Sequence, residues 1–264
     1  NNYYLMLWKD LKRRAINMNV LVYGFGLMGK KVTQAVRDNA QMNLVGVVSP
    51  VFDAKIDEKM YASLNEVHEK VDAIIDFSHP DNLNDILKFG VRNHCALVLA
   101  TTGYSEQQIL HIEEASSQIP IFQSYNTSFG VSMLTKIVKE VAKEFYENGY
   151  DIEIIEKHHN QKIDAPSGTA KLLYDVIHED IEETKEVYDR STVHHKRERN
   201  EVGIQSVRAG TIFGEHSVLF AGHDEIIEVK HTALSKEVFV QGAISACLKI
   251  ADKENGLFSL KNLY

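Results

Sequence analysis

From Met18 onward, short apolar runs alternate with longer amphipathic stretches, and this order limits the folds open to the chain. Buried strands of four or five residues that alternate with helices are typical of βαβ units and a parallel sheet. The predicted helices are Lys30–Asn39, Asn82–Asn93 and Ser105–Gln118. The predicted strands are Val20–Tyr23, Leu44–Val48, Ala73–Phe77, Leu97–Ala100 and Ile119–Gln123.

After about Ser128 the pattern changes to that of an α+β half with a mixed, largely antiparallel sheet. A charge-rich stretch, residues 181–202, predicts an exposed excursion or long loop. The predicted helices are Met133–Tyr146, Ser167–His178 and a closing helix Val238–Lys249, which we expect to return to the first half. The predicted strands are Asp151–His158, Gly203–Arg208, His216–Ala221 and Ile226–His231.

Composition excludes several classes of protein. No apolar stretch reaches the ~20 residues that span a bilayer, so we expect no membrane protein. The formal net charge of −8 argues against a nucleic-acid surface. Two distant cysteines, Cys95 and Cys247, cannot form a disulfide framework and are typical of a reducing cytoplasm.

The first 17 residues differ from the rest because they carry a basic cluster. This cluster follows a short apolar stretch within the same 17 residues and precedes the first predicted strand. We expect residues 1–17 to be a non-native or upstream extension, with Met18 as the natural start. A mitochondrial-type presequence is the alternative. A secretory signal is disfavoured because the basic residues follow the apolar ones and no small-residue cleavage site is present.

A glycine-rich turn follows the first predicted strand and opens the first helix, as Gly24-Phe25-Gly26-Leu27-Met28-Gly29. In this position G-x-G-x-x-G favours dinucleotide binding, because the glycines allow a tight turn, a close approach of pyrophosphate and helix packing. Glycine turns that serve packing alone are the alternative.

The end of the second predicted strand bears on the choice of cofactor. An NAD site usually places an acid there, but the strand ends at Ser49 and no acid follows before Asp53. Ser49 can accommodate a 2′-phosphate, with Lys30 or Lys31 to neutralise it. We expect NADPH, NADH or both as cofactor.

Two further turns are expected at the same crevice, Asp76-Phe77-Ser78-His79-Pro80 and Ala100-Thr101-Thr102-Gly103. Their hydroxyl residues and backbone amides suit a nicotinamide ribose. Ordinary strand-to-helix loops with a capping hydroxyl are an equally good interpretation.

The densest chemistry lies between Glu156 and Ala170, where His158, His159 and Lys162 precede Pro166-Ser167-Gly168-Thr169. The segment Pro166-Ser167-Gly168-Thr169 predicts the start of a helix whose backbone amides can hold a carboxylate. The histidines and the lysine beside it are able to donate protons. A zinc site is disfavoured because no cysteine and no separate Glu-x-x-His segment lies near the pair of histidines in the sequence; we expect no metal. A polar loop without function is the other alternative.

The string from Lys157 to Ala170 closely resembles the signature of the 4-hydroxy-tetrahydrodipicolinate (dihydrodipicolinate) reductase family, and the resemblance runs from Met18 to the C-terminus. It implies reduction of that dicarboxylate by NADPH or NADH in lysine and diaminopimelate biosynthesis. It also implies a Rossmann-like domain of residues 18–128 and 236–264, and a central substrate-binding domain of residues 129–235 whose sheet assembles a homotetramer.

The resemblance also implies roles for individual residues. Lys162 is the proton donor, His158 the acid/base histidine and His159 a substrate contact, while Gly168 and Thr169 hold a substrate carboxylate. The implied cofactor contacts are the glycine turn Gly24 to Gly29, Phe77, Ser78, Ala100, Thr101, Thr102, Gly103, Ser124, Tyr125, Asn126 and Thr127. Two other functions stay open: a related dehydrogenase of an amino acid such as aspartate, and a nucleotide-sensing protein without activity.

Overall fold

The computed structural model describes residues 17–50 and 59–264. The chain divides into two compact units, the first running to Thr127 and resuming over Phe239–Leu263, the second spanning Ser128–Val238 together with Tyr264. The expectation about residues 1–17, apart from Asn17, and the acid Asp53 fall outside the described residues.

The first unit is built on a parallel sheet, which confirms the Rossmann-like prediction. Within the described residues its order is β12-β6-β5-β4-β1-β2-β3, and the order of the first six strands, 3-2-1-4-5-6, is that of dinucleotide-binding sheets. The strands are β1 (Met18–Tyr23), β2 (Met42–Val48), β3 (Met60–Tyr61), β4 (Ala73–Asp76), β5 (Ala96–Leu99), β6 (Pro120–Gln123) and β12 (Gly256–Phe258).

Helices with local start and stop signals cover this sheet. Ser105 and Gln108 form a reciprocal capping box at the start of one helix, and His94, with φ of 51°, ends the preceding one. The helices are α1 (Leu27–Asp38), α2 (Leu83–Asn93), α3 (Glu106–Ser116) and α6 (Glu237–Ile250). Cys247 of α6 lies 3.7 Å from the sulfur of Met18, so the last helix packs against β1.

The second unit contains a mixed sheet of order β11-β10-β7-β9-β8 among the described residues. The β10–β11 and β10–β7 pairs are antiparallel, whereas β7–β9 and β8–β9 are parallel. The sheet is therefore mixed as predicted, with a larger parallel share than expected. Its elements are α4 (Phe129–Glu147), β7 (Asp151–His158), α5 (Gly168–Asp180), β8 (Lys185–Val187), β9 (Glu201–Arg208), β10 (Gly214–Ala221) and β11 (Ile226–Ala233).

One face of this sheet carries the core. Ile152 and Ile154 of β7 alternate inward with Val218 and Phe220 of β10, and pack with apolar side chains of α4 and α5 such as Leu173. Most side chains of the opposite face are partly buried or exposed, although Ser217 and Glu201 are buried. The alternation of β7 thus determines which of its residues lie beneath the helices.

One prediction was incomplete and another was wrong. Residues 181–202 are mostly exposed and irregular as predicted, but Lys185–Val187 form β8 and Glu201 is buried at the start of β9. The helix α6 does not close the fold, because β12 follows and pairs with β6. Both strands are three residues long, too short for a clear alternation.

No helix in the described ranges has the length and hydropathy to cross a bilayer.

Candidate active site

The three glycines of the turn after β1 differ in the space around them. Gly24 has a φ of +99°, and a Cβ there would lie 2.6 Å from the carbonyl oxygen of Phe77. A Cβ on Gly29 would lie 2.1 Å from the carbonyl oxygen of Gly24. Apart from Gly26 and its chain neighbours, no heavy atom of the described residues lies within 4 Å of a Cβ on Gly26. The turn is therefore closed at its ends and open at Gly26.

The open position coincides with the start of α1. Gly26 is its N-cap, no described side chain caps the helix there, and the first turn contains no acid. Helix N-terminal amides and the positive end of the helix dipole favour anions. The space and the amides fit the pyrophosphate of a dinucleotide, bordered by the exposed Leu27 and the half-buried Met28.

The residues considered for cofactor preference lie around β2 and α1. Ser49 is buried, and its backbone nitrogen donates to the carbonyl oxygen of Tyr61 at 3.0 Å. The Lys30 ammonium lies 5.3 Å from the centroid of the Phe25 ring. The preference between NADPH and NADH stays a prediction.

A buried carboxylate, Asp76, joins the loops after β4 and β5. Ser78 donates to its Oδ1 from backbone nitrogen and hydroxyl, at 3.0 and 2.6 Å. Thr101 and Tyr104 donate to its Oδ2, at 2.7 and 3.2 Å. Burial raises the pKa of Asp76, while these hydrogen bonds act to lower it. The hydroxyls of Ser78 and Thr101 therefore bind Asp76, which leaves the loop backbones, with Thr102 and Gly103 exposed, to line a ligand.

In the loop after β6, the hydroxyl groups also form hydrogen bonds within the protein. The Thr127 hydroxyl donates to the carbonyl oxygen of Phe239 at 2.6 Å, and Ser124 donates to the carbonyl oxygen of Asn126. Tyr125 has an exposed ring. The strands β1, β4, β5 and β6 are neighbours in one parallel sheet. Their carboxyl ends therefore lie side by side, and the predicted cofactor residues are found there, with Phe77 and Ala100 directly after a strand.

In the second unit, His158 ends β7 on the same face as Glu156. Nδ1 of His158 lies 2.6 Å from Glu156 Oε2. Arg208 at the end of β9 donates to both oxygens of Glu156, at 2.8 Å each. Burial acts to raise the pKa of Glu156, but hydrogen bonds from His158 and Arg208 outweigh it and hold the pKa well below its usual range. Glu156 is therefore an ionised carboxylate.

Lys162 lies in the loop after β7 and is paired within that loop. Its Nζ donates to both oxygens of Asp164, at 2.7 and 2.9 Å. Burial acts to raise the pKa of Asp164, whereas the hydrogen bond and charge of Lys162 lower it and prevail. His159 belongs to the same turn, since its carbonyl oxygen accepts from the backbone nitrogen of Lys162 at 3.1 Å.

Helix α5 begins beside this turn. Its N-cap Ser167 accepts from the backbone nitrogen of Ala170, and its hydroxyl lies 2.9 Å from Nε2 of the buried His216. Apart from Gly168, its chain neighbours and the nearby backbone of α5, no described heavy atom lies within 4 Å of a Cβ on Gly168, and Thr169 is buried. The start of α5 at Gly168 and Thr169 has the space and the helix dipole that a carboxylate site requires.

His216 stacks edge-on against His158, with ring centroids 5.1 Å apart. Burial, and then the charge of His158, lower the pKa of His216 to about 3. His216 is therefore a neutral imidazole at physiological pH.

His195, Glu198 and Glu201 place one possible ligand atom each within 4.8 Å of one another. Both carboxylates already pair with cations, Glu198 with Lys185 and Glu201 with Arg190. The predicted site histidines His158 and His159 are not part of this group.

Sequence patterns predict no role for Glu156, Asp164, Arg208 or His216. One signal for Glu156 was present, since it occupies an inward position of β7 where Ile152 and Ile154 are apolar. An acid at a buried position requires charged or hydrogen-bonding partners. Its partner Arg208 lies 52 residues away, so only the sheet register identifies the pair.

Two family models match the chain, one over each part. The description "Dihydrodipicolinate reductase, N-terminus" matches residues 18–127, and "Dihydrodipicolinate reductase, C-terminus" matches residues 130–264.

Curated relatives match at nearly full length. The chain is 48% identical to the 4-hydroxy-tetrahydrodipicolinate reductase of Exiguobacterium sibiricum, over 94% of this chain and 96% of the relative. It is 44% identical to the protein of the same name from Clostridium novyi, over 90% and 94% of the two chains.

Among solved structures, the chain is similar in fold to a dipicolinate-bound dihydrodipicolinate reductase from Paenisporosarcina sp. TG-14. The TM-score is 0.78 at 24% identity, covering 94% of this chain and 99% of the other.

Proposed function

The chain belongs to the dihydrodipicolinate reductase family, and from that premise we propose that Lys162 and His158 supply the proton chemistry of its reaction. The activity expected from the sequence is confirmed: the protein is an oxidoreductase that reduces 4-hydroxy-tetrahydrodipicolinate in lysine and diaminopimelate biosynthesis, with NADPH or NADH as cofactor.

The proposed cofactor site lies at the carboxyl ends of the strands of the first sheet. The amides around Gly26 bind the pyrophosphate, and the loops at Phe77, Thr102 and Tyr125 line the remainder. A bound nicotinamide supplies the hydride. The open space at Gly26 and the uncapped start of α1 support this assignment.

The proposed substrate site is the end of the second sheet. The amides of Gly168 and Thr169 bind one carboxylate of the dicarboxylate, and His159 contacts it. Lys162 donates a proton from Nζ, while His158 exchanges protons through Nε2, the ring nitrogen opposite Glu156. The observation that carries the proposal is that His158 and the start of α5 both contact one buried carboxylate, Glu156, while Lys162 lies in the loop that joins β7 to α5.

A coupled assay tests the function and the cofactor preference together. Dihydrodipicolinate synthase generates the substrate in the cuvette, and oxidation of NADPH and of NADH is followed in parallel by absorbance. We expect oxidation only when the synthase product is present. Nucleotide binding without oxidation favours the nucleotide-sensing alternative, and turnover with an amino acid such as aspartate alone favours the other dehydrogenase.

We also propose a homotetramer assembled through the second sheet. The support is the face opposite α4 and α5, where Ile155 and Leu219 are only partly buried and Val207 and Ile226 are exposed. Such an apolar face is typical of subunit interfaces. Analytical ultracentrifugation of the protein and of Leu219→Glu tests this, with a smaller assembly expected for the variant.

We further propose a cytoplasmic location. Both cysteines, Cys95 and Cys247, are free thiols in this structure and are buried, which is typical of a reducing compartment. Fractionation of the producing cell tests this.

A further inference from the structure

The Glu156 carboxylate is fully buried and receives hydrogen bonds from three separate segments. The ring of His158 approaches from β7, the backbone nitrogen of Ser167 donates from the start of α5 at 3.1 Å, and Arg208 donates twice from β9. An ionised carboxylate offers only acceptors. Every group around Glu156 must therefore be a donor.

This requirement determines the tautomer of His158. The nitrogen that faces Glu156 Oε2 is Nδ1, so Nδ1 carries the proton and Nε2 of the neutral ring is an acceptor. Nε2 lies on the side of Gly214, where a Cβ would approach it to 3.2 Å. Glycine at this position keeps a side chain away from Nε2.

Arg208 maintains this arrangement. A buried carboxylate without a cation takes up a proton, because burial disfavours the charged form. A protonated Glu156 would donate a hydrogen bond to Nδ1 and would therefore favour the neutral tautomer of His158 with its proton on Nε2. The bidentate guanidinium keeps Glu156 an acceptor and so prevents the exchange.

We propose that Glu156 and Arg208 are positioning residues that hold His158 in the tautomer with its proton on Nδ1, leaving Nε2 to exchange protons with the substrate. The catalytic consequence rests on the proposed function; the tautomer itself does not. Through Ser167 the same carboxylate sets the distance between His158 and the amides of Gly168 and Thr169.

The other ionisable groups around His158 do not replace Glu156. His216 faces the ring from β10 and is neutral. Lys162 is paired with Asp164, and His231 of β11 lies 3.5 Å from Ser128. Among the described residues, Glu156 contacts Nδ1 directly and is fully buried.

The test uses the full-length protein labelled with 15N-histidine. Ring nitrogen resonances are recorded without substrate at alkaline pH, where imidazoles are neutral, and the spectrum of His158→Asn identifies those of His158. We expect the proton on Nδ1 in the unmodified protein. A proton on Nε2 would overturn the proposal, even if Glu156→Gln does not fold and whether or not the protein turns over.

The variant Glu156→Gln introduces an amide N–H₂ among the donors that surround this position, so we expect a mixed or reversed tautomer. We expect kcat to fall about 10²-fold or more, since a wrong tautomer costs up to ~10⁴-fold in a related arrangement. The matched control is Glu201→Gln, which alters another buried carboxylate paired with an arginine, Arg190. An unchanged tautomer and kcat in Glu156→Gln, or an equal loss in the control, would contradict the proposal.

Discussion

The Lys162 ammonium donates to both carboxylate oxygens of Asp164, two residues further along the same loop. The proposed proton donor is thus held by a partner that is itself 61% exposed. Exposed ion pairs stabilise proteins little, so the pair is better explained by its effect on the position of Lys162.

Asp164→Asn separates these two effects. We expect the free energy of unfolding to change by less than about 1 kcal/mol, whereas kcat falls about tenfold because the ammonium loses its fixed partner. Urea denaturation and steady-state kinetics measure the two quantities. An unchanged kcat would show that Asp164 does not orient Lys162.

Lys162→Ala removes the proposed proton donor. A general acid contributes about 10²–10⁴-fold to rate, so we expect a loss of that size in kcat with nucleotide binding retained. Lys171→Ala, at an exposed position of α5, is the control and should retain activity. Normal turnover by Lys162→Ala would exclude the assigned role.

Two glycines of the first turn should respond differently to alanine. In Gly26→Ala the new methyl group enters open space, so we expect normal stability and at least about tenfold weaker nucleotide binding, a loss of roughly 1.4 kcal/mol. In Gly29→Ala the Cβ meets the carbonyl oxygen of Gly24, so we expect loss of stability. Thermal denaturation and nucleotide titration compare them, and equal behaviour would argue against the assigned roles.

Asp76→Asn tests the carboxylate that joins the loops after β4 and β5. One donor of Ser78, Thr101 or Tyr104 then meets an N–H₂ group, and an unsatisfied buried donor costs about 1–3 kcal/mol. We expect lower stability and weaker nucleotide binding. Asp81→Asn changes an exposed acid nearby and serves as control. If both variants bind nucleotide normally, Asp76 does not position the loops.

The pKa of His216, lowered to about 3 by burial, makes the stability depend on pH. Below its unfolded pKa of about 6.5 the unfolded chain binds a proton that the folded protein does not, so stability present above pH 6.5 is lost as pH falls towards 3. Between pH 7 and pH 5 this group contributes a loss of about 2 kcal/mol. Urea titrations should show a smaller pH dependence for His216→Asn, whereas His223→Asn, fully exposed, should not alter it.

The parallel sheet was predictable because its strands are bounded by turn residues and separated by amphipathic helices. β7 was predicted with its observed bounds, since eight residues of alternation define a strand. The short strands β8 and β12 were not, because three residues carry little periodic signal and are stabilised by the neighbouring strand.

The residues of the candidate site also differ in whether local sequence patterns predict them. His158, Lys162, Gly168 and Thr169 lie within twelve residues, so one motif identified them. The contact between Glu156 and Arg208 depends on the parallel register of β7 and β9. Local sequence patterns do not determine such pairings across a long separation.

The position of β12 at the edge of the first sheet affects how the protein is made. β6 pairs with β5 on one side and with Gly256–Phe258 on the other. During translation more than a hundred residues of the second unit leave the ribosome before that last strand does. In the meantime β6, with Ile121 and Phe122, presents an apolar unpaired edge of the kind that recruits strands from other chains. The free edge of β6 is therefore covered once Gly256–Phe258 have been synthesised and have paired with it.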